Sequence, residues 1–83
     1  MILVGGKYTG KKLVNAIIRG IAKEGTVKLA ALSDRGVHQI NSAGQKASNT
    51  LGMKVNAQPS EGQVTIDGAH RVALIVTLTG VAS

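Results

Sequence analysis

Apolar residues recur along this chain first with the period of a helix and later with that of strands. From Gly10 to Glu24 the positions Leu13, Val14, Ile17, Ile18 and Ile21 fall at i, i+3, i+4 and i+7 spacings and define one helical face. Thr9 stands where a cap belongs, and Gly25 is expected to stop the helix. Ahead of it, the run Ile2 to Val4, closed by Gly5-Gly6, reads as a short buried strand. Thr26 to Ser33 reads as a second strand, with Val27, Leu29 and Ala31 on one face and Lys28, Ala30 and Leu32 on the other. Its nearly continuous apolar end predicts an interior position in a sheet. Asp34-Arg35-Gly36 reads as a turn leading to a second helix from about Val37 to Leu51, with Val37, Ile40, Ala43, Gly44, Ala47 and Leu51 inward.

Gly52 is expected to end that helix. Met53, Val55 and Ala57 then alternate with Lys54, Asn56 and Gln58 in a third strand, which Pro59-Ser60-Glu61-Gly62 is expected to interrupt before it resumes at Gln63 to Ile66. Asp67-Gly68 is a strong hairpin-turn signal, followed by a last strand from His70 to Thr79. There Val72, Leu74, Val76 and Leu78 share one face, while Ala73 and Ile75 make the other partly apolar. Cover on both sides is therefore expected, from helices on one and a partner on the other. The order β-α-β-α-β-β predicts a single α/β domain over residues 1–83, a two-layer sandwich with a four-stranded mixed sheet and two helices on one face.

Length sharpens this picture. A chain of 83 residues buries only about 60–65% of its unfolded surface, so its core is thin and a partner subunit would help. The absence of Cys excludes disulfides and thiolate metal sites, and two widely spaced His do not make a zinc site, so no metal or cofactor is expected. Met1 to Val4 is too short for a signal-peptide core, and no apolar run approaches the roughly 20 residues of a membrane span, which points to a soluble cytoplasmic protein.

The net charge of +6 is uneven. Residues 1–28 carry Lys7, Lys11, Lys12, Arg19, Lys23 and Lys28 against Glu24, a net of +5; residues 29–83 carry four basic side chains against three acids, a net of +1. A localised positive field favours polyanions, whereas scattered lysines merely keep a small protein soluble. One Tyr, at position 8, and no Phe or Trp make a base-stacking platform a poor fit, so phosphate contacts would have to carry the affinity.

Along the first helix Lys11, Asn15, Arg19 and Lys23, with Lys12 beside them, form a polar row opposite the apolar stripe. Arg19 and Lys23 read as an ordinary solvated face. Lys11 and Lys12 differ because they fall in the first turn, where unpaired N–H groups and the positive end of the dipole make cations unfavourable unless an anion is bound. The second helix presents His38, Gln39, Asn41, Ser42, Gln45 and Asn49 outward, polar but nearly uncharged, which suits either an intersubunit surface or plain solvation.

Gly5, Gly10 and Lys11 fill a GxxxxGK frame, the start of a nucleotide-binding P-loop. That loop needs Ser or Thr after its Lys to ligate magnesium, and here the position is Lys12, a cation without an oxygen ligand. The Asp34 that ends Ala30-Ala31-Leu32-Ser33-Asp34 imitates a strand-end acid, but a nucleotide-binding parallel sheet needs more βα units than this chain holds. Nucleophilic catalysis fares no better. His38 and His70 read as surface residues, and the four acids fall in different segments, so no enzyme activity or small-molecule substrate is expected.

The run Ile2-Leu3-Val4-Gly5-Gly6-Lys7, the basic start of the first helix, and Leu32-Ser33-Asp34-Arg35-Gly36 opening a small-residue helix resemble the Alba superfamily of chromatin and RNA-binding proteins. The second half, with Ala31-Leu32, Gln39, Ala43, Pro59, Ile66-Asp67-Gly68, Arg71 and Ala73, is similar to the bacterial stage V sporulation protein S family, without gaps from Pro59 onward. The resemblance implies an Alba-like fold, a homodimer, and binding of DNA or RNA through the first loop, the turn after strand 2 and the hairpin. Lys7 matches the loop lysine and Arg35-Gly36 the basic turn. Charge and position add Lys11, Lys12 and Arg71, and Gly5 and Gly6 would let the backbone approach an anion. The chain departs from the family pattern at Asp34, beside Arg35, at Ser42, where the sporulation branch commonly has Lys, and in an arm carrying Glu61 and Asp67. The expected function is low-specificity nucleic-acid binding, in chromatin-like or regulatory use and possible association with the nucleoid. The alternative is a protein-interaction module in sporulation or cell-division regulation.

Overall fold

Leu13, Ile17 and Ile21, spaced by four residues, are the buried stripe of the first helix, α1, which spans Gly10–Glu24 as its periodicity predicts. The computed structural model describes residues 1–5 and 8–81. At the end of α1, Gly25 adopts a left-handed conformation (φ 79°) and its N–H donates to the Ile21 carbonyl over 2.8 Å. Before α1 lies β1 (Ile2–Leu3), parallel to β2 (Thr26–Ala31), with Ile2 opposite Leu29 and Leu3 opposite Ala30. Then follow α2 (Asp34–Leu51), β3 (Lys54–Ile66) and β4 (Ala69–Val81). The sheet order is β1-β2-β4-β3, with β4 antiparallel to both of its neighbours, so β2 is an interior strand as expected. The protein is an α/β two-layer sandwich with a four-stranded mixed sheet.

The core joins Leu13, Ile17 and Ile21 of α1 and Ile40, Ala43 and Ala47 of α2 to Leu29, Ala31, Val76 and Leu78 of the sheet. Because Leu29 and Ala31 share one face of β2 and Val76 and Leu78 the same face of β4, both helices cover that one side. Small residues set the approach. A Cβ on Gly20 would sit 2.9 Å from Val27 Cβ, so α1 lies directly on β2 at that point.

Several ends shift by one or two residues, β1 stopping at Leu3, β2 at Ala31 and β4 running over Ala69–Val81, and two differences from the sequence reading are larger. Asp34-Arg35-Gly36 is not a separate turn but the first turn of α2, because Ser33 takes the extended N-cap conformation and its hydroxyl accepts from the Gly36 N–H at 3.4 Å. Pro59 does not interrupt β3 either: the strand is continuous over Lys54–Ile66, with Pro59 opposite Val76. As β3 is an edge strand, the N–H that proline lacks is one the ladder can spare on the open side. Asp67 and Gly68 both have positive φ (51° and 78°), the tight turn their sequence announces.

A strand of 13 residues reaches about 43 Å, which accounts for the 40 Å long axis beside two of 22 Å. β2 pairs with β4 only from Leu74 to Thr79, so the turn end of the β3–β4 hairpin projects beyond the sheet. On the face away from the helices, Ala30 and Ala73 are nonetheless buried within one chain. Ile75 lies over Gly62, where a Cβ would meet Ile75 Cγ1 at 2.7 Å, and residues 63–66 share a groove with Met1, Leu3 and Ala30. Part of the cover expected from a partner thus comes from the protein's own hairpin. Among the described residues, no helix is long and apolar enough to cross a membrane.

Candidate nucleic-acid interface

The first turn of α1 begins at a constrained entry. Beyond β1, the Val4 N–H extends the parallel pairing to the Ala30 carbonyl at 2.9 Å, and Gly5 and Tyr8 then exchange backbone hydrogen bonds of 3.1 and 3.3 Å. Gly5 (φ 115°) and Gly10 (φ 54°) hold conformations that L side chains rarely adopt, so this entry depends on glycine. Gly6 and Lys7, expected to form the phosphate grip together with Gly5, lie outside the described residues.

The two helix N-termini are electrostatically unlike. In α2, the Ser33 hydroxyl occupies one N–H and Asp34 stands in the first turn, so the free donors and the dipole are compensated within the chain. Thr9 has the extended N-cap backbone expected of it, but its side chain makes no capping bond, and the first turn of α1 contains no acid. Lys11 and Lys12, both exposed, stand there instead. Each cation at that end costs about 0.3–1 kcal/mol. At the other end of α1, Lys23 is in the last turn, where the same dipole favours it.

Two grooves flank this turn. Tyr8, Lys12, Asn15, Ala16 and Arg19 line one, the Lys12 to Arg19 spacing of seven placing both cations on one side of the helix. The other runs between the helices and is lined by Gly10, Lys11, Val14 and Asn15 of α1 with Lys46, Asn49 and Thr50 of α2. Asn15 borders both. Lys46 did not figure among the residues expected from sequence, since only the packing of α2 on α1 places it on the groove that Lys11 also lines. The seven-residue spacing of Lys12 and Arg19 was the available signal for Arg19.

Other expected site residues lie apart from these grooves. β1 and β2 are parallel, so α1 and α2 both start at the same end of the sheet, and Arg35, exposed in the first turn of α2, shares that end without lining either groove. Gly36 is buried, and a Cβ there would lie 3.0 Å from Ala31 Cβ, so close helix–strand packing accounts for its glycine. Arg71 is exposed on β4 opposite Val64, on the hairpin face it shares with Ala73 and Ile75, away from the helical layer.

His38 is exposed on α2, and His70 Nδ1 lies 3.3 Å from Thr65 Oγ1 across the hairpin, a pair of neighbours in the strand register. Among the described residues, no three acids or histidines gather as a metal site requires. No protein-family model matches the chain, and no match is found among curated proteins.

Proposed function

We propose that this protein is an Alba-like, dimeric, low-specificity nucleic-acid-binding protein of the cytoplasm, acting on DNA or RNA without catalysis. The observation that carries this reading is the start of α1, where the Thr9 side chain makes no capping bond, the first turn holds two lysines and no acid, and no residue among those described offsets them. A phosphate oxygen supplies what is missing: it accepts from the free N–H groups and turns the Lys11 and Lys12 charges from a cost into an attraction. Arg35, exposed at the same end of the sheet, extends the positive surface; Lys7 adds a further cation to this stretch of the sequence. The chain holds a single aromatic ring, Tyr8, which favours phosphate contacts over base stacking.

With about three or four phosphates neutralised per subunit, the slope of log affinity against log salt is about −3 per subunit. A gel-shift titration with random-sequence DNA and RNA over low to moderate salt tests this. Absence of binding at micromolar protein and low salt, or binding indifferent to salt, rejects it.

One observation favours a second reading, a protein-interaction module in sporulation or cell-division regulation. Between α2 and the sheet runs a groove with an apolar floor of Ile40, Val55, Ala57 and Leu78 and a rim of Asn41, Gln45, Ser48 and Lys54. Such a surface suits a protein partner or a second subunit. The same titration separates the readings, since only the first requires nucleic acid.

A further inference from the structure

We infer that the nucleic-acid backbone crosses the helical layer over α1, from Lys46 past Lys11 and Lys12 to Arg19, and does not follow the β3–β4 hairpin. This rests on the nucleic-acid reading above and names its path. Lys46 is the only charged residue of α2 beyond its first turn, where Asp34 and Arg35 stand. A charge retained for solubility alone would sit as well among the uncharged outward positions Asn41, Ser42 or Gln45. Lys46 instead lines the same inter-helix groove as Lys11, so two cations from different helices border one surface depression. From there the surface is continuous: Asn15 borders both grooves, and the helix between them is about 10–12 Å across with its side chains. Arg19, in the groove with Lys12 and Tyr8, continues the path and is more than a solvated charge.

The hairpin offers an anion far less. Residues 61–73 carry Glu61 and Asp67 against Arg71, a net charge of −1, and Arg71 is on the face away from the helices. A backbone laid along the arm meets repulsion, whereas over α1 it meets cations on both sides of one helix.

The experiment measures the affinity of wild-type and variant protein for a random-sequence DNA duplex and a single-stranded RNA of equal length, by fluorescence anisotropy at several salt concentrations. Lys46→Ala and Arg19→Ala should each weaken duplex binding roughly eightfold at 0.1 M salt and reduce the slope by about 0.9, or about 0.7 on the single strand, as loss of one phosphate contact requires. Arg71→Ala and Lys28→Ala should change affinity less than twofold. Thermal melts of each variant establish that the fold is kept. If Lys46→Ala and Arg19→Ala bind as wild type while Lys11→Ala is weakened, the path is wrong and the nucleic-acid reading stands. A loss in Arg71→Ala equal to that in Lys46→Ala also overturns the path, and wild-type protein that binds neither probe overturns both.

Discussion

Lys11 and Lys46 belong to different helices and line a single groove, Lys11 from the first turn of α1 and Lys46 from the C-terminal half of α2. A folded domain of this size is held together by only about 4–12 kcal/mol, so placing Lys11 and Lys12 at the positive end of α1 is a measurable concession.

Charge reversal makes the concession visible. In the double variant Lys11→Glu/Lys12→Glu, the dipole of α1 gains favourable partners in place of unfavourable ones, an expected stabilisation of about 1–4 kcal/mol at low ionic strength. At 4–8 °C per kcal/mol for a domain of this size, the melting temperature rises by at least about 4 °C. Nucleic-acid binding should be lost in the same variant. A thermal melt beside a binding titration checks both, and a fall in melting temperature would contradict the account of the α1 terminus.

The two caps should respond differently to removal. Ser33→Ala deletes the hydroxyl that accepts from the Gly36 N–H and should cost about 0.5–1 kcal/mol, the low end for a cap because the bond is long at 3.4 Å. Thr9→Ala removes no capping bond and should stay within about 0.5 kcal/mol of wild type. Chemical denaturation of the two variants side by side distinguishes them.

Helical glycines divide in the same manner. At Gly44 an added Cβ would meet Leu78 Cδ1 at 3.6 Å, an ordinary contact, so Gly44→Ala should stabilise by about 0.5–1 kcal/mol through helix propensity. At Gly20 the Cβ would lie 2.9 Å from Val27 Cβ, and at Gly36 3.0 Å from Ala31 Cβ, both close to a strand of the sheet. Alanine at either should destabilise by about 1–3 kcal/mol as α1 or α2 is pushed off β2. Equal effects at all three positions in denaturant melts would refute the packing described.

Pro59 guards an edge. β3 offers 13 residues on the open side of the sheet, and Pro59 interrupts the outward row of donors near its middle. Pro59→Val should leave the circular dichroism spectrum native-like while raising concentration-dependent association in light scattering. Unchanged scattering across the concentration range would show that the proline does not protect this edge.

Elements written in local chemistry were legible without coordinates. The four-residue spacing of Leu13, Ile17 and Ile21 and the glycine at position 25 delimit α1, and Asp67-Gly68 announces a turn that only positive φ can make. The order of elements followed from the same periodicities, because period and turn chemistry are properties of neighbours in the chain. Tertiary structure decided what depends on distant residues. Proline at position 59 breaks a strand or sits within one according to whether that strand has an open edge, and the sheet order alone settles this. Asp34-Arg35-Gly36 became helix because Ser33 caps it and Gly36 fits against Ala31, a contact across two elements. The sequence showed a basic N-terminal third, but it did not show that Lys46 joins Lys11, since a groove between two helices exists only once their apolar faces have packed.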